Sequence, residues 1–444
     1  MLLTASCIFY MYFKPIYILI LALTIVIDYY AGIFIHNAAD MKKKKAILVI
    51  SLISNIGILV FFKYFNFISF NLTGLSHIFG SSYSFPLIDF ILPIGLSFHT
   101  FQAMSYTIEV YRGNQAPERH FGYYALYVMY FPQLVAGPIE RPQNILHQLH
   151  IKQSFNYANF ISGLQMMLWG LFKKMVIADR LSVFVDTVYD NPDSFYGFNV
   201  MIATVFFAVQ IYCDFSGYSD VAIGVSKIMG IDLMKNFNRP YLSKSVGEFW
   251  RRWHISLSSW FRDYLYIPLG GNKVSNMIKI RNVLIVFSLS GLWHGANWTF
   301  IIWGALNGIF IIIETMMKVD SRVTDLHKEG WLATVRGQII CFTLICFTWV
   351  FFRANSLHDA LMIFKNAFSF TDGLSIGIPN VGKKNFLMMF GFIGLLFFSE
   401  SLFQYRVNIA RKIISRQYVT IYILAMLILL LGIFEKQSFI YFQF

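Results

Sequence analysis

The chain has 444 residues, of which 57% are hydrophobic and only 13% are charged, with a mean hydropathy of +0.57 and a formal net charge of +13. Since soluble domains carry about 25% charged residues, this composition excludes an ordinary soluble protein. Lys and Arg gather in short segments between apolar runs, which is the positive-inside pattern of membrane proteins, so the charge does not indicate nucleic-acid binding.

Apolar runs that are suited to a membrane follow one another along the chain. We expect spans or shorter membrane segments at residues 1–13, 16–35, 46–67, 86–110, 121–136, 160–181, 198–229, 282–294, 298–317, 338–352, 386–403 and 418–434. The lysines at 42–45 and a loop without Lys or Arg at 68–85 predict opposite sides of the membrane. Glycine and proline at 137–138 predict irregular backbone after residue 136. The pattern predicts an all-α polytopic membrane protein with roughly 10–12 transmembrane helices plus re-entrant or interfacial helices.

Residues 248–266 predict one amphipathic helix. Trp253 falls on an aromatic face at helical spacing, whereas Arg251 and Arg252 fall on the opposite, polar face. Such a helix is typical of an interfacial anchor, with tryptophan in the boundary and arginine at the headgroups. His254 lies on the aromatic side, where it is either a spacer in this anchor or part of a functional site.

His294 ends the apolar run 282–294. An ionisable group at membrane depth is a functional hypothesis by default, because its burial is costly. Imidazole can take a proton from a hydroxyl near neutral pH, which is what acyl transfer needs. The alternative is a histidine that hydrogen-bonds across helices for packing. Glycines at 291, 295, 304 and 308 have the GxxxG spacing, which predicts that the surrounding helices approach closely.

Two other predicted spans carry polar side chains. They are Gln102, Tyr106 and Glu109 on one helical face, and Asp214, Ser216, Tyr218 and Asp220 in another segment. Such groups are either glue between helices or the lining of a water-accessible cavity. Neither the four cysteines nor the neighbours of the two histidines have the spacing of a metal site, so we expect no bound metal.

Residues 249–272, FWRRWHISLSSWFRDYLYIPLGGN, closely resemble the signature of the membrane-bound O-acyltransferase family, and especially its bacterial alginate O-acetylation branch. LWHGA at 292–296 is similar to the block that holds the invariant histidine of that family. The segments FQAMSY (101–106), YFPQLVAGPIERP (130–142) and DFSGYSD (214–220) also resemble it. The likeness extends over nearly the whole chain, although family members usually begin with one additional apolar segment.

This resemblance implies a single integral membrane O-acyltransferase domain over residues 1–444, with tilted helices around a central tunnel. It implies that His294 is the catalytic base and that His254 occupies a second active-site position. The residues that we expect to line the tunnel or to support the site are Trp293, Asn297, Trp253, Arg251, Asp214, Ser216, Tyr218, Gln102 and Tyr106.

The resemblance also implies a reaction and a location. The donor would be a cytoplasmic acyl thioester, namely acetyl-CoA, without a bound cofactor, and the nine basic residues between 235 and 281 would attract its phosphates. The acyl group would cross a bacterial cytoplasmic (inner) membrane for O-acetylation of a cell-envelope or secreted polysaccharide. The implied partners are membrane lipid, an extracytoplasmic SGNH-type acyltransferase and the polysaccharide synthesis machinery. The alternatives are D-alanyl or lipid acyl transfer by the same fold, and a non-catalytic transporter or channel.

Overall fold

The structure is a computed structural model, and it describes residues 1–89, 92–319, 330–370, 377, 381–406, 408–409, 416–435 and 439–440. Within these residues all regular secondary structure is helical, which confirms the predicted all-α class. The chain divides into two compact units, Met1–Phe160 with Val225–Met234 and Ile161–Gly224 with Lys235–Phe444.

The helices of the first unit pack into a bundle that buries several polar side chains. They are α1 (Leu2–Met11), α2 (Ile18–Asn37), α3 (Met41–Leu59), α4 (Phe65–Ile78), α5 (Leu96–Arg112), α6 (Phe121–Met129), α7 (Phe131–Leu134) and α8 (Pro142–His150). Asp28 on α2 is fully buried and accepts hydrogen bonds from the hydroxyl of Ser51 at 2.6 Å and the amide of Asn55 at 2.8 Å. These bonds satisfy an otherwise costly buried carboxyl group and join α2 to α3.

The remaining helices belong mainly to the second unit. They are α9 (Tyr157–Leu171), α10 (Asp179–Tyr189), α11 (Phe198–Ile228), α12 (Val246–Arg252), α13 (Ile255–Phe261), α14 (Asn276–His294), α15 (Trp298–Met316), α16 (Trp331–Arg353), α17 (Leu357–Ala367), α18 (Lys383–Tyr405) and α19 (Gln417–Leu431). π-Helical turns join α3 to α4 (Val60–Tyr64), join α9 to α10 (Phe172–Ala178) and follow α13 (Arg262–Tyr266).

Seven helical segments in the described part of the chain are long and apolar enough to cross a membrane, so the protein is a multi-pass membrane protein. They are Pro15–Asn37, Met41–Ile78, Tyr157–Tyr189, Phe198–Ile228, Trp298–Met316, Trp331–Arg353 and Lys383–Tyr405. This number is lower than the roughly 10–12 spans that the hydropathy pattern predicts. One reason is the predicted span 121–136, which is divided into the nine-residue helix α6 and the four-residue helix α7, followed by a turn.

Two predicted segment boundaries are wrong, at the loop 68–85 and at the start of the span 86–110. The lysines at 42–45, which the sequence places just before the span 46–67, lie in the first turns of α3, and the carboxylate of Asp40 caps this helix by accepting from the backbone N–H of Lys42. The predicted loop 68–85 is helical as far as Ile78. The predicted span 86–110 becomes helical only at Leu96, because Gly95 adopts φ +74° and ψ +1°, which no helix interior allows.

The helices α14 and α15 cross at small residues, as the GxxxG spacing predicts. A Cβ atom on Gly291 would lie 2.1 Å from the backbone oxygen of Phe300, and one on Gly304 would lie 2.1 Å from that of Phe287. Only glycine allows this separation between the two backbones. The close crossing fixes the end of α14, and therefore His294, against α15.

Candidate active site

The two histidines that the sequence singles out lie side by side in the second unit. His254 occupies the junction between α12 and α13, and His294 is the last residue of α14. Their ring centroids are 6.2 Å apart. Both side chains are buried, with exposed fractions of 0% and 4%. The fold therefore brings together two imidazoles that are 40 residues apart in the chain.

His254 is placed by a break in the backbone, so the predicted continuous helix over 248–266 is wrong. Trp253 is extended, at φ −102° and ψ +130°, and His254 is left-handed, at φ +43° and ψ +54°. An L-residue with a Cβ atom rarely adopts such a conformation, which costs about 1–2 kcal/mol. Residues that hold strained backbone of this kind are concentrated at functional sites.

A segment preceding α12 holds this break in place. The backbone N–H of Ile255 donates to the carbonyl of Asn236 at 2.9 Å, and Asn238 donates to the carbonyl of Arg252 at 2.9 Å. The hydroxyl of Ser256 also donates to the side-chain oxygen of Asn236, at 2.9 Å. These bonds pair the backbone on both sides of His254 with residues 236–238, so the helix cannot continue through it.

Arg252 does not lie on a polar outer face, as the amphipathic pattern predicts, because it pairs inside the protein with Glu248. Its Nη2 lies 2.6 Å from the Glu248 Oε1, and the two side chains are 3% and 2% exposed. The other carboxylate oxygen of Glu248 accepts from the backbone N–H of Lys244 at 2.8 Å. The ion pair therefore anchors α12, which ends directly before His254.

Aromatic rings surround both imidazoles. The ring of Phe215 lies 4.7 Å from that of His254. The ring of Trp293 lies 6.0 Å from that of His254 and 5.0 Å from that of His294. Trp303 stands perpendicular to His294 at 5.1 Å, and Phe352 lies 5.3 Å from it. Such surroundings exclude water from the site and strengthen electrostatic interactions inside it.

The apolar surroundings also decide the charge of His254, which lies outside the seven candidate spans. Burial lowers the pKa of His254 to about 3, because desolvation disfavours the imidazolium ion. At neutral pH the side chain is therefore a neutral imidazole. A neutral imidazole can still donate one N–H group and accept at its other nitrogen.

A cavity of about 600 Å³ lies in the same unit, and its wall includes Ile255, the residue after His254, but neither of the two histidines. Three cationic side chains, Arg251, Arg262 and Lys279, contribute to its wall, together with the carboxylate of Glu314. Apolar and aromatic side chains of α12, α13, α14 and α15 also line it, next to the serines at 258, 259 and 290. The cavity thus combines positive charge with a mixed apolar and uncharged polar lining, which suits an anionic ligand that carries an uncharged arm.

The faces of α14 and α15 that line this cavity continue to His294. Lys279, Val283 and Ser290 line it, and His294 is the next residue on that face of α14. On the antiparallel helix α15, Ile311 lines the cavity, and Trp303 lies eight residues earlier on the same face, against His294. The cavity and His294 therefore lie along the same faces of α14 and α15.

The remaining predicted residues of the second unit differ in their positions. Arg251 lines the cavity, as noted, and Trp293 contacts both histidine rings. Trp253 packs in the adjacent aromatic cluster, where its ring stacks on Phe249 at 5.4 Å. Asn297 caps α15 by accepting from the backbone N–H of Thr299, and its amide donates to the carbonyl of Asn355, both at 3.1 Å. The side-chain bonds of Asn297 therefore have a structural role.

The polar residues predicted on α11 take part in buried ion pairs. Lys174 pairs with Asp214 at 2.8 Å and with Asp179 at 2.7 Å. Lys173 donates to the hydroxyl of Ser216 at 2.7 Å and pairs with Asp220 at 2.8 Å. The ring of Tyr218 packs on Phe439 at 5.2 Å. The contacts of Lys173 and Lys174 join α11 to the π-helical turn before α10, so Asp214, Ser216 and Asp220 hold helices together, which is one of the two roles that the sequence left open.

Gln102 and Tyr106 lie in the first unit and are bonded within it. The amide of Gln102 donates to the carbonyl of Tyr127, whose hydroxyl donates back to the carbonyl of Gln102 at 3.0 Å. The hydroxyl of Tyr106 accepts from the backbone N–H of Glu118 at 2.9 Å. Both side chains therefore join α5 to the segments that follow it.

Sequence reasoning missed three rings that contact the histidines, namely Phe215, Trp303 and Phe352. Phe215 lies between two predicted site residues, but a phenylalanine in an apolar membrane segment does not by itself indicate a functional site. Trp303 precedes one glycine of the GxxxG pattern, so the helix crossing could have pointed to it. Phe352 is 58 residues from His294, and no local pattern links the two.

Comparison with known proteins agrees with this geometry. Residues 118–355, which include both histidines, match the family described as "MBOAT, membrane-bound O-acyltransferase family". The chain is 38% identical to a "Probable alginate O-acetylase AlgI" of Azotobacter vinelandii, over 84% of this chain and 73% of that protein. It is also 38% identical to a "Peptidoglycan O-acetyltransferase" of Helicobacter pylori, over 82% of this chain and 72% of that protein. A "Teichoic acid D-alanyltransferase" of Bacillus subtilis is 27% identical over 60% of this chain and 69% of that protein.

Proposed function

Because the chain belongs to the membrane-bound O-acyltransferase family, we propose that it transfers an acetyl group from a cytoplasmic thioester to a hydroxyl group, for O-acetylation of a cell-envelope or secreted polysaccharide. The observation that carries this proposal is the pair of buried imidazoles, 6.2 Å apart, beside a cationic cavity. The names of the two relatives at 38% identity support acetyl as the transferred group.

His294 acts as the base in this proposal. The hydroxyl oxygen of the acceptor attacks the thioester carbonyl carbon while His294 takes its proton. The carbon–sulfur bond then breaks, and the imidazolium returns the proton to the departing thiolate. Such general acid–base catalysis typically contributes about 10²–10⁴ in rate. The apolar rings around His294 keep bulk water from competing with the acceptor.

His254 stabilises the negative charge that develops on the thioester oxygen or sulfur. Its low pKa supports this role, because a neutral imidazole can donate an N–H group without adding a charge of its own. The left-handed backbone of His254 and the bonds to residues 236–238 hold the ring before the substrate arrives. Preorganised donors of this kind account for a large share of many enzymatic rate enhancements.

Acetyl-CoA is the donor that the cavity suits best. Its phosphates would bind the cationic side chains Arg251, Arg262 and Lys279, and its uncharged pantetheine arm would extend along α14 toward His294. The cavity then faces the cytoplasm of a bacterium, and the chain lies in the cytoplasmic membrane. An SGNH-type acyltransferase on the outer side would accept the acetyl group and pass it to the polysaccharide.

The second candidate is transfer of D-alanine, which the similarity to the teichoic acid D-alanyltransferase supports at lower identity. The two candidates differ in the acyl group that reaches the cell envelope. Mild alkali releases acetate in the first case and D-alanine in the second. Chemical analysis of the released acyl groups therefore separates them.

The proposed function is tested by deleting the gene and restoring it as wild type, His294→Ala or His254→Ala. We expect wild type to restore ester-linked acetate on an envelope polysaccharide, and both variants to fail at equal membrane protein levels. The control is His358→Ala, since His358 is exposed on α17 and should restore acetylation. Full acetylation by His294→Ala would refute the assigned base.

A further inference from the structure

Trp250 forms the wall between the cavity and the histidine pair. Its side chain lines the cavity but is only 8% exposed. On its inner side the indole packs against Trp303 at 5.5 Å, and Trp303 packs against His294 at 5.1 Å. A group that moves from the cavity along α14 passes between Trp250 and Ser290, which both line the cavity, before it reaches His294.

This ring is held on both sides. Its indole N–H donates to the side-chain oxygen of Asn307 at 3.2 Å. The amide of Asn307, which is fully buried, donates in turn to the carbonyl of Trp303 at 2.8 Å. The ring of Phe287 on α14 lies 5.6 Å from Trp250. Hydrogen bonds to buried partners are costly to leave unmade, so the indole cannot swing away freely.

From this arrangement we propose that Trp250, fixed by Asn307, determines acyl-chain specificity by leaving room for an acetyl group and excluding longer acyl groups. This inference rests on the proposed function, since it concerns the donor of the same reaction. The ring of Trp303 packs against both the Trp250 indole and His294, so little space is left there, and a two-carbon acyl group needs the least. Each additional methylene would have to displace a ring that α14 and α15 both hold, and packed interiors yield little.

The test compares donors of increasing length. Membranes with equal amounts of wild type, Trp250→Ala or Trp250→Phe receive acetyl-, propionyl-, butyryl- or hexanoyl-CoA, and mass spectrometry quantifies the acyl esters formed on endogenous polysaccharide. We expect Trp250→Ala to raise the butyryl-to-acetyl ratio roughly 10-fold or more, the discrimination that about one methylene carries in an apolar pocket. Trp250→Phe keeps a large ring and should stay within a few-fold of wild type.

A second variant tests the inference if Trp250→Ala turns out to be inactive. Asn307→Leu removes the acceptor of the indole N–H while filling a similar volume, and it should raise the same ratio by a smaller factor. If Trp250→Ala is active with a wild-type ratio, or if it is inactive and Asn307→Leu has a wild-type ratio, the inference is overturned.

The same experiment distinguishes this inference from the proposed function. Wild-type membranes that transfer no acyl group from any CoA donor, or His294→Ala membranes with full activity, would refute the proposed function. An inactive His294→Ala together with an unchanged ratio in Trp250→Ala would refute the specificity role alone.

Discussion

The buried pair of Glu248 and Arg252 makes a prediction that separates stability from catalysis. In Glu248→Gln the side chain keeps its shape but loses its charge, and the guanidinium of Arg252 stays buried at 3% exposure. Removing one partner of a buried ion pair costs about 3–5 kcal/mol. Arg252 retains longer contacts with the carbonyl of Asn238, at 3.5 Å, and with Gln404, at 3.4 Å. We therefore expect a loss of about 3 kcal/mol, at the low end of this range.

The double variant Glu248→Gln with Arg252→Met tests the cause. It removes both charges, so no buried charge remains without its partner, and replacing a whole buried pair is often nearly neutral. We expect it to recover most of the lost stability. The matched control is Asp263→Asn, because the ion pair of Asp263 with Arg262 is largely exposed and contributes at most about 1 kcal/mol.

The assay is thermal unfolding of purified protein in detergent, followed with a thiol-reactive dye. Cys213, Cys341 and Cys346 are buried and become reactive only when the protein opens. Glu248→Gln should lower the unfolding temperature far more than Asp263→Asn. If the two variants unfold alike, or if the double variant is no more stable than Glu248→Gln, the buried pair does not anchor α12 as described.

Three further predictions concern packing, charge and the cavity. Gly304→Ala should abolish accumulation of folded protein, because its Cβ would meet a backbone oxygen of α14 at 2.1 Å, whereas Gly394→Ala meets nothing within 4 Å and should accumulate normally on immunoblots of membranes. Burial lowers the pKa of His254 to about 3, so when the pH falls below about 6.5 the unfolded chain takes up a proton at this imidazole and the folded chain does not. The free energy of unfolding should therefore fall between about pH 6.5 and pH 3, by up to about 1.4 kcal/mol per pH unit. Thermal unfolding between pH 7 and pH 5 should therefore depend less on pH in His254→Gln, and equal slopes would contradict the buried neutral ring. Arg251→Gln should raise KM for acetyl-CoA roughly 10-fold, as expected for the loss of a charged hydrogen bond. Lys365 is exposed, so Lys365→Gln should leave KM unchanged. An unchanged KM in Arg251→Gln would contradict the binding of the acetyl-CoA phosphates in this cavity.

Local patterns sufficed to predict most of the membrane helices and one helix crossing. The predicted run 298–317 and the observed helix Trp298–Met316 differ by a single residue at one end. An uninterrupted series of apolar residues is enough to define the limits of such a helix. The glycine spacing on α14 and α15 predicted their close approach, since only the absence of a Cβ allows two backbones to touch. In both cases the determining residues lie within one or two helices.

The surroundings of the histidines could not be predicted in this way. The break at His254 depends on Asn236 and Asn238, which replace helical hydrogen bonds from outside the 248–266 segment. The amphipathic pattern also assigned Arg252 to the surface, because its partner Glu248 is recognisable only once both are buried. Likewise, Phe352 reaches His294 through tertiary packing alone. Long-range contacts of this kind leave no periodic trace in the sequence.

The central claim is that His294 removes the proton of the attacking hydroxyl. The most direct test is the initial rate of acetyl-ester formation from acetyl-CoA in membranes that contain equal amounts of wild type or His294→Gln. Glutamine fills a similar space but cannot act as a base, so the rate should fall about 10²–10⁴-fold while the protein unfolds at the wild-type temperature. A His294→Gln rate within a few-fold of wild type would contradict the claim.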